Sequence, residues 1–317
     1  MITKTNDSGY FRILGDVRNY PTQPAFRIED VFPFCAWISF QWERNFKPFG
    51  FIELVHGKYL ACPLIVVLYL LMCKYGPASM KNRKEFDLRR VVIVWNVLLS
   101  LFNLIVVVKL TPVLLYIICN YTFTGLLIIP PIYTYAFGIP GLWVSLFVLS
   151  KFVELADTLL LILRKKKVTL LHWFHHSTVL LYTWDTYYAE VPAGFTFVFI
   201  NAIVHTIMYC YYAMASVYKK PLSWNICVTL LQILQMLLGI LLTVYCLSIT
   251  YTYRFSSYWD LRSVRKLQHK FSFDYGHYVS RTNVFYAVLM YLSYLFLFAK
   301  YFYGRYLCAP PGKQKPA

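Results

Sequence analysis

From Leu110 to Ser150 the chain runs without a single charged side chain. Core elements of soluble proteins are shorter, and turns bring polar residues back between them. Further apolar runs flank this one. Read together they give seven stretches of crossing length, at about 57–74, 91–108, 141–163, 168–188, 192–217, 223–249 and 282–303. Each is near the ~20 residues that span ~30 Å of hydrocarbon. Strands of a membrane barrel alternate polar and apolar residues, and these runs do not. The sequence therefore predicts an all-α polytopic membrane protein with seven transmembrane helices. Composition agrees, since 14% of residues are charged against roughly 25% in soluble domains.

Three segments follow: an N-terminal lumenal or interfacial arm over 1–50, a membrane domain over 51–305 and a cytosolic tail over 306–317. The start, "MITKTNDSGY", has no signal-peptide pattern, so the first helix is expected to act as the insertion signal. Within the uncharged run, Pro130, Pro131 and Pro140 predict an irregular or re-entrant link.

The formal charge of +17 first suggests nucleic acid. The basic residues instead sit in short loops between apolar runs, as the positive-inside rule expects. The loops after spans one, three and five carry Lys or Arg on one side, which places the C-terminus in the cytosol and the N-terminus in the lumen. The loop near 250–281 disagrees, with Arg254, Arg262, Arg265, Lys266, Lys270 and Arg281 on the lumenal side. Sequons at Asn6 and Asn120 fall on that side as well. The eight cysteines show neither CxxC nor zinc spacing. Cys119 and Cys246 both lie toward the lumen, which raises a disulfide between them. Near the end, Lys313 and Lys315 resemble a dilysine retrieval signal.

Ionisable residues inside spans cost roughly 2.5 to 3.5 kcal/mol each for Asp, Lys or Arg, so they mark function. On the third span Lys151, Glu154 and Thr158 share a helical face, with Asp157 bordering it. On the fourth, His172, His175 and His176 share another. The fifth carries a stripe of Asn201, His205, Tyr209 and Tyr212. The sixth carries Gln232 and Gln235, which also suit plain interhelical bonding.

The HxxHH spacing admits two chemistries. Di-iron oxygenases use such boxes, but need about eight histidines; this chain has seven, four of them within spans. Those four and two carboxylates would still suffice for one metal. The alternative is metal-free acyl transfer, in which a neutral imidazole takes an acyl group from a thioester. A lipid or solute transporter would also bury polar groups at mid-membrane, without needing three histidines on one face.

"KFVELADT", "HWFHH", "NAIVHTIMYCYY" and "TLLQILQ" resemble, in order and spacing, the four signature motifs of the very-long-chain fatty acid elongases of the endoplasmic reticulum, the ELO family. The likeness extends from about Lys84 to Gln235. It implies a 3-ketoacyl-CoA synthase (a very-long-chain 3-oxoacyl-CoA synthase) that condenses acyl-CoA with malonyl-CoA, without cofactor or metal. It implies a fold in which spans two to seven surround an acyl tunnel as two inverted three-helix units, with the first helix outside. It places the acyl-accepting nucleophile at His175, with His205 facing it and His172 and His176 shaping the site. Lys151, Glu154, Asp157, Asn201, Tyr209, Tyr212, Gln232 and Gln235 are implied as substrate-binding or supporting residues. Trp173 in the box resembles the subgroup acting on saturated and monounsaturated chains. The implied partners are the bilayer, a ketoacyl-CoA reductase, a hydroxyacyl-CoA dehydratase, an enoyl-CoA reductase and a second copy of the chain, with no nucleic acid.

Overall fold

The structure, a computed structural model, describes residues 27–131, 134–255 and 281–308. Among these the secondary structure is helical. Three single turns, α1 (Ile28–Val31), α2 (Phe34–Trp37) and α3 (Gln41–Arg44), lead into α4 (Phe49–Gly57) and the first long helix, α5 (Ala61–Ser79). Then come α6 (Arg89–Ile128), α7 (Gly138–Val153), α8 (Ala156–Leu163), α9 (Leu170–Tyr188), α10 (Gly194–Tyr218), α11 (Asn225–Phe255) and α12 (Arg281–Phe302), the last closed by a π-helical turn at Tyr303–Leu307.

Five helices are long and apolar enough to cross a membrane by length and composition: α5, α6, α10, α11 and α12. Two of the seven expected spans fall outside that set for physical reasons. The third is broken, with α7 and α8 separated at Glu154 and Leu155. There the backbone tightens to three-residue bonds, Leu155 N to Phe152 O, Asp157 N to Glu154 O and Thr158 N to Leu155 O. The fourth, α9, is long enough but carries three histidines and Asp185. In both spans polar residues lower the apolar character, and only the third is interrupted. Elsewhere the helices show apolar side chains outward, among them Leu64, Leu98, Leu241 and Phe296, as a lipid-facing surface requires.

The irregular link expected at Pro130 and Pro131 lies between α6 and α7, but the second span runs well past its expected end at 108. α6 continues through Pro112 to Ile128 and is about 60 Å long, twice the hydrocarbon thickness. It ends where Pro130 forces the chain out: Ile129 is already extended, at φ −74° and ψ 125°. Pro140 lies in the first turn of α7, where its missing N–H costs nothing. Gly141 is required there, because a Cβ would lie 1.8 Å from the carbonyl oxygen of Ala136. The suggested Cys119–Cys246 disulfide is also corrected: neither is in a disulfide among the described residues, Cys119 being exposed and Cys246 buried. Asn6, Lys313, Lys315 and most of the 250–281 loop lie outside the described residues.

The long helices pack in a defined order. α6 lies along α10 and against α7; α7 meets α9; α9 meets α12; α12 meets α11; α11 meets α10. Arg89 fixes the α6–α10 alignment by donating to the Ser216 and Val217 carbonyls at 3.0 and 2.6 Å. α5 packs on α8 and α9. A layer of buried apolar side chains, including Val106, Val113, Ile117, Phe147 and Phe195, joins α6, α7 and α10.

Candidate active site

A cavity runs between α7, α9, α10, α11 and α12. One end is polar, lined by Lys151, His175, Asn201, Gln235 and Tyr294. The other is lined by Ile52, Pro131, Tyr135, Ala136 and Gly141. Between them the walls are mostly apolar and aromatic, with Phe147, Val179, Phe197 and Tyr291. The rise along α9 from His175 to Tyr187 is about 18 Å. The shape is that of a slot for an extended apolar chain with a polar head.

The polar end is assembled from the helix break. Lys151 donates to Glu154 Oε1 at 2.6 Å and to Asn201 Oδ1 at 3.3 Å. Ser150 donates to the same Glu154 oxygen at 3.2 Å. Glu154 and Lys151 are almost wholly buried, so each charge must be met by the other. Among the described residues Glu154 Oε2 makes no hydrogen bond, and it stands 3.8 Å from His205 Nδ1, which also lacks one.

Asp157 faces away from that pair. Trp95 Nε1 and, at 2.9 Å, the Tyr209 hydroxyl donate to its two oxygens. His176 Nε2 lies 4.0 Å from Asp157 Oδ2. Thr158 bridges Tyr69 and His172 Nε2, each at 2.8 Å. The break thus divides these residues between two networks, Glu154 toward α10 and Asp157 with Thr158 toward α5, α6, α9 and, through Tyr209, α10 as well.

The four histidines form a chain of rings. Centroids are 4.5 Å apart for His172–His176, 5.4 Å for His175–His176 and 6.4 Å for His175–His205. His175 alone of the four lines the cavity. Its ring lies 5.0 Å from that of Tyr294, whose hydroxyl reaches the His175 carbonyl at 3.2 Å and Thr178 at 2.6 Å. Among the described residues no three His, Cys, Asp or Glu side chains gather as metal ligands would.

Some expected site residues stand apart. Gln235 lines the cavity, whereas Gln232 sets its amide against Met208 Sδ at 3.1 Å. Tyr212 is 39% exposed and touches the site only through the Tyr209 ring, 6.5 Å away. Sequence reasoning passed over Trp95, Tyr69 and Tyr294. Trp95 had a signal, since with Asn96 it interrupts an apolar run; the tyrosines had none in so aromatic a chain. Lys165, Lys166 and Lys167 line a second pocket with Lys74 and Lys81.

Fold and site together define a multi-pass helical membrane protein that holds buried imidazoles at the head of an apolar slot. Residues 54–315 match the ELO, GNS1/SUR4 family, and the chain belongs to that family. It is 34% identical to very long chain fatty acid elongase 6 of Drosophila melanogaster over 77% of this chain and 71% of the relative. It is 36% identical to elongase 3 of Mus musculus, over 79% and 83% of the two chains. With elongase 6 of Rattus norvegicus it shares 32%, over 88% and 95%.

Proposed function

We propose that this chain is a fatty acid elongase that condenses acyl-CoA with malonyl-CoA to give 3-ketoacyl-CoA, CO2 and CoA. The observation that carries the reading is the position of His175, at the polar head of a slot about 18 Å deep along α9. An acyl tail fills the slot and leaves its thioester at the imidazole. The neutral imidazole attacks the thioester carbonyl, the C–S bond breaks, and CoA leaves with the proton that the ring gives up. Malonyl-CoA then loses CO2. Its α-carbon takes the acyl group as the C–N bond breaks, and His175 regains a proton from solvent.

In this scheme His205, with Glu154 Oε2 3.8 Å from its ring, assists the transfer from behind His175. Lys151, Asn201 and Gln235 furnish hydrogen bonds at the carbonyls. Asp157, Tyr209, His172 and His176 set ring orientation from behind. No metal or redox cofactor enters this scheme.

The order of helix contacts supports a closed arrangement of six elements, α6, α7–α8, α9, α10, α11 and α12, with α5 outside. That gives seven crossings and two inverted three-helix units. CoA enters on the cytosolic face, beside Arg89 and the Arg164–Lys167 run. The protein resides in the endoplasmic reticulum membrane. A homodimer there hands product to the ketoacyl-CoA reductase, hydroxyacyl-CoA dehydratase and enoyl-CoA reductase of the cycle.

Purified protein given palmitoyl-CoA and radiolabelled malonyl-CoA should form labelled 3-ketoacyl product without added nicotinamide. Absence of product across a panel of acyl lengths would overturn the reading.

A further inference from the structure

The far end of the slot is closed partly by residues that precede every membrane-crossing helix. Ile52, on α4, lines the cavity beside Pro131, Tyr135, Ala136 and Gly141. It is only 7% exposed. Its neighbours pin it: the Phe51 ring packs edge-on to Tyr187 at 4.7 Å, and Val55 is fully buried against Leu180 and Trp184. Ile52 therefore cannot swing aside when a longer chain presses on it.

The segment carrying Ile52 is clamped to the bundle by buried charge. Lys109 of α6 donates to Glu43 Oε2 and Ser39 Oγ, each at 2.8 Å, and to the Ile38 carbonyl. Trp143 of α7 donates to the same Glu43 oxygen at 2.9 Å. Glu43 and Lys109 are 2% and 8% exposed. Gly138, at φ +63°, donates its N–H to the Phe46 carbonyl at 3.0 Å, and the Phe49 ring meets Phe137. These bonds tie the arm to α6, α7 and the loop between them, the same loop that supplies Pro131, Tyr135 and Ala136. Lys109 lies about 30 Å along α6 from Arg89, so the clamp sits one hydrocarbon thickness from the basic end.

Resting on the elongase reading above, we propose that this arm is the stop of the acyl slot, with Ile52 the side chain that meets the chain terminus and limits acyl length. The family match begins at residue 54, so Ile52 and the arm's half of the clamp, Ile38, Ser39, Glu43 and Phe46, precede it, while Lys109, Gly138 and Trp143 lie within it. The arm is therefore a place where chain length is set without altering the motifs that carry the chemistry.

The test is a chain-length profile. Wild type, Ile52→Ala and Ile52→Trp are assayed as full-length protein with saturated acyl-CoAs of graded length and labelled malonyl-CoA. Thermal stabilisation by the same acyl-CoAs is measured in parallel. Ile52→Trp should lower turnover of the longest accepted chain relative to the shortest by about tenfold. Ile52→Ala should raise the relative turnover of chains longer than wild type accepts. A purely structural defect lowers all lengths alike and leaves the profile unmoved. Elongation with one profile in all three proteins overturns the stop and leaves the function standing. No elongation, with a length profile of stabilisation that still shifts, overturns the function and leaves the stop standing. Where Ile52→Trp does not fold, Ile52→Phe carries the shortening arm, and an unshifted profile there overturns the proposal equally.

Discussion

The two ends of the cavity are built on opposite rules. At the His175 end every polar group lies near another from a different turn or helix: Lys151 on Glu154 and Asn201, Asp157 on Trp95 and Tyr209. At the Ile52 end the surface is mainly apolar, and the charges that hold it, Lys109 and Glu43, stand one layer back. In a low-dielectric interior a polar group is tolerated where a neighbour answers it. Linked polar groups are therefore concentrated at one end, and fit is left mainly to apolar surface at the other, where Glu190 is the charged residue on the wall.

The largest effect should come from the polar end. His175→Ala should lower 3-ketoacyl-CoA formation at least about a thousandfold, with the unfolding midpoint little changed, since no buried charge is stranded. Full activity would remove the chemistry from that end. Next, Glu154→Ala leaves the Lys151 ammonium unanswered and should cost about 3–5 kcal/mol in unfolding measurements in detergent. Pairing Lys151→Met with Glu154→Leu should recover most of that. A harmless single substitution would show that mutual neutralisation is not what holds the site.

At the apolar end, Gly141→Ala drives a methyl into the Ala136 carbonyl and should cost about 3 kcal/mol, seen as a lower unfolding midpoint. Back at the polar end, Trp95→Phe removes one donor from Asp157 and should cost about 1–2 kcal/mol, less than Glu154→Ala or Gly141→Ala. The smallest effect concerns pH. Burial raises the Glu43 carboxyl pKa, but hydrogen bonds from Lys109 and Trp143 outweigh it and hold the group below its usual range. A folded value below the unfolded value of about 4.3 adds stability that is present above the unfolded value. That stability is lost as pH falls through the folded one. The arm should loosen only in acid, reported by the fluorescence of the exposed Trp37 and Trp42. Release at neutral pH would contradict the clamp.

Much of the site was legible because an ionisable residue in an apolar run is conspicuous. Lys151, Glu154, Asp157, Asn201 and the histidines all announced themselves that way. The break between α7 and α8 did not, because regular spacing at 100° per residue assumes an unbroken helix. The length of α6 did not show, because the apolar run over 91–108 marks only part of the second crossing, and the helix continues through Lys109 and Pro112. Ile52 was invisible, being one apolar residue among many. Gln232 and Tyr212 show the reverse: each shares a stripe with a site residue, yet neighbouring helices turn them elsewhere.

The amino-acid order by itself determined the helical membrane class, the rough limits of the crossings and the set of polar groups that the membrane interior must accommodate. Tertiary structure decided which of them face the slot. His172, His175 and His176 span about 100° of helix circumference, a width that periodicity sets and cannot orient. Packing of α12 through Tyr294 and of α8 through Thr158 sets the rotation of α9, so His175 meets the cavity while His172 and His176 turn back to Thr158 and Asp157. A helix carries its own angular spacing in its sequence; its rotation in the bundle belongs to its neighbours.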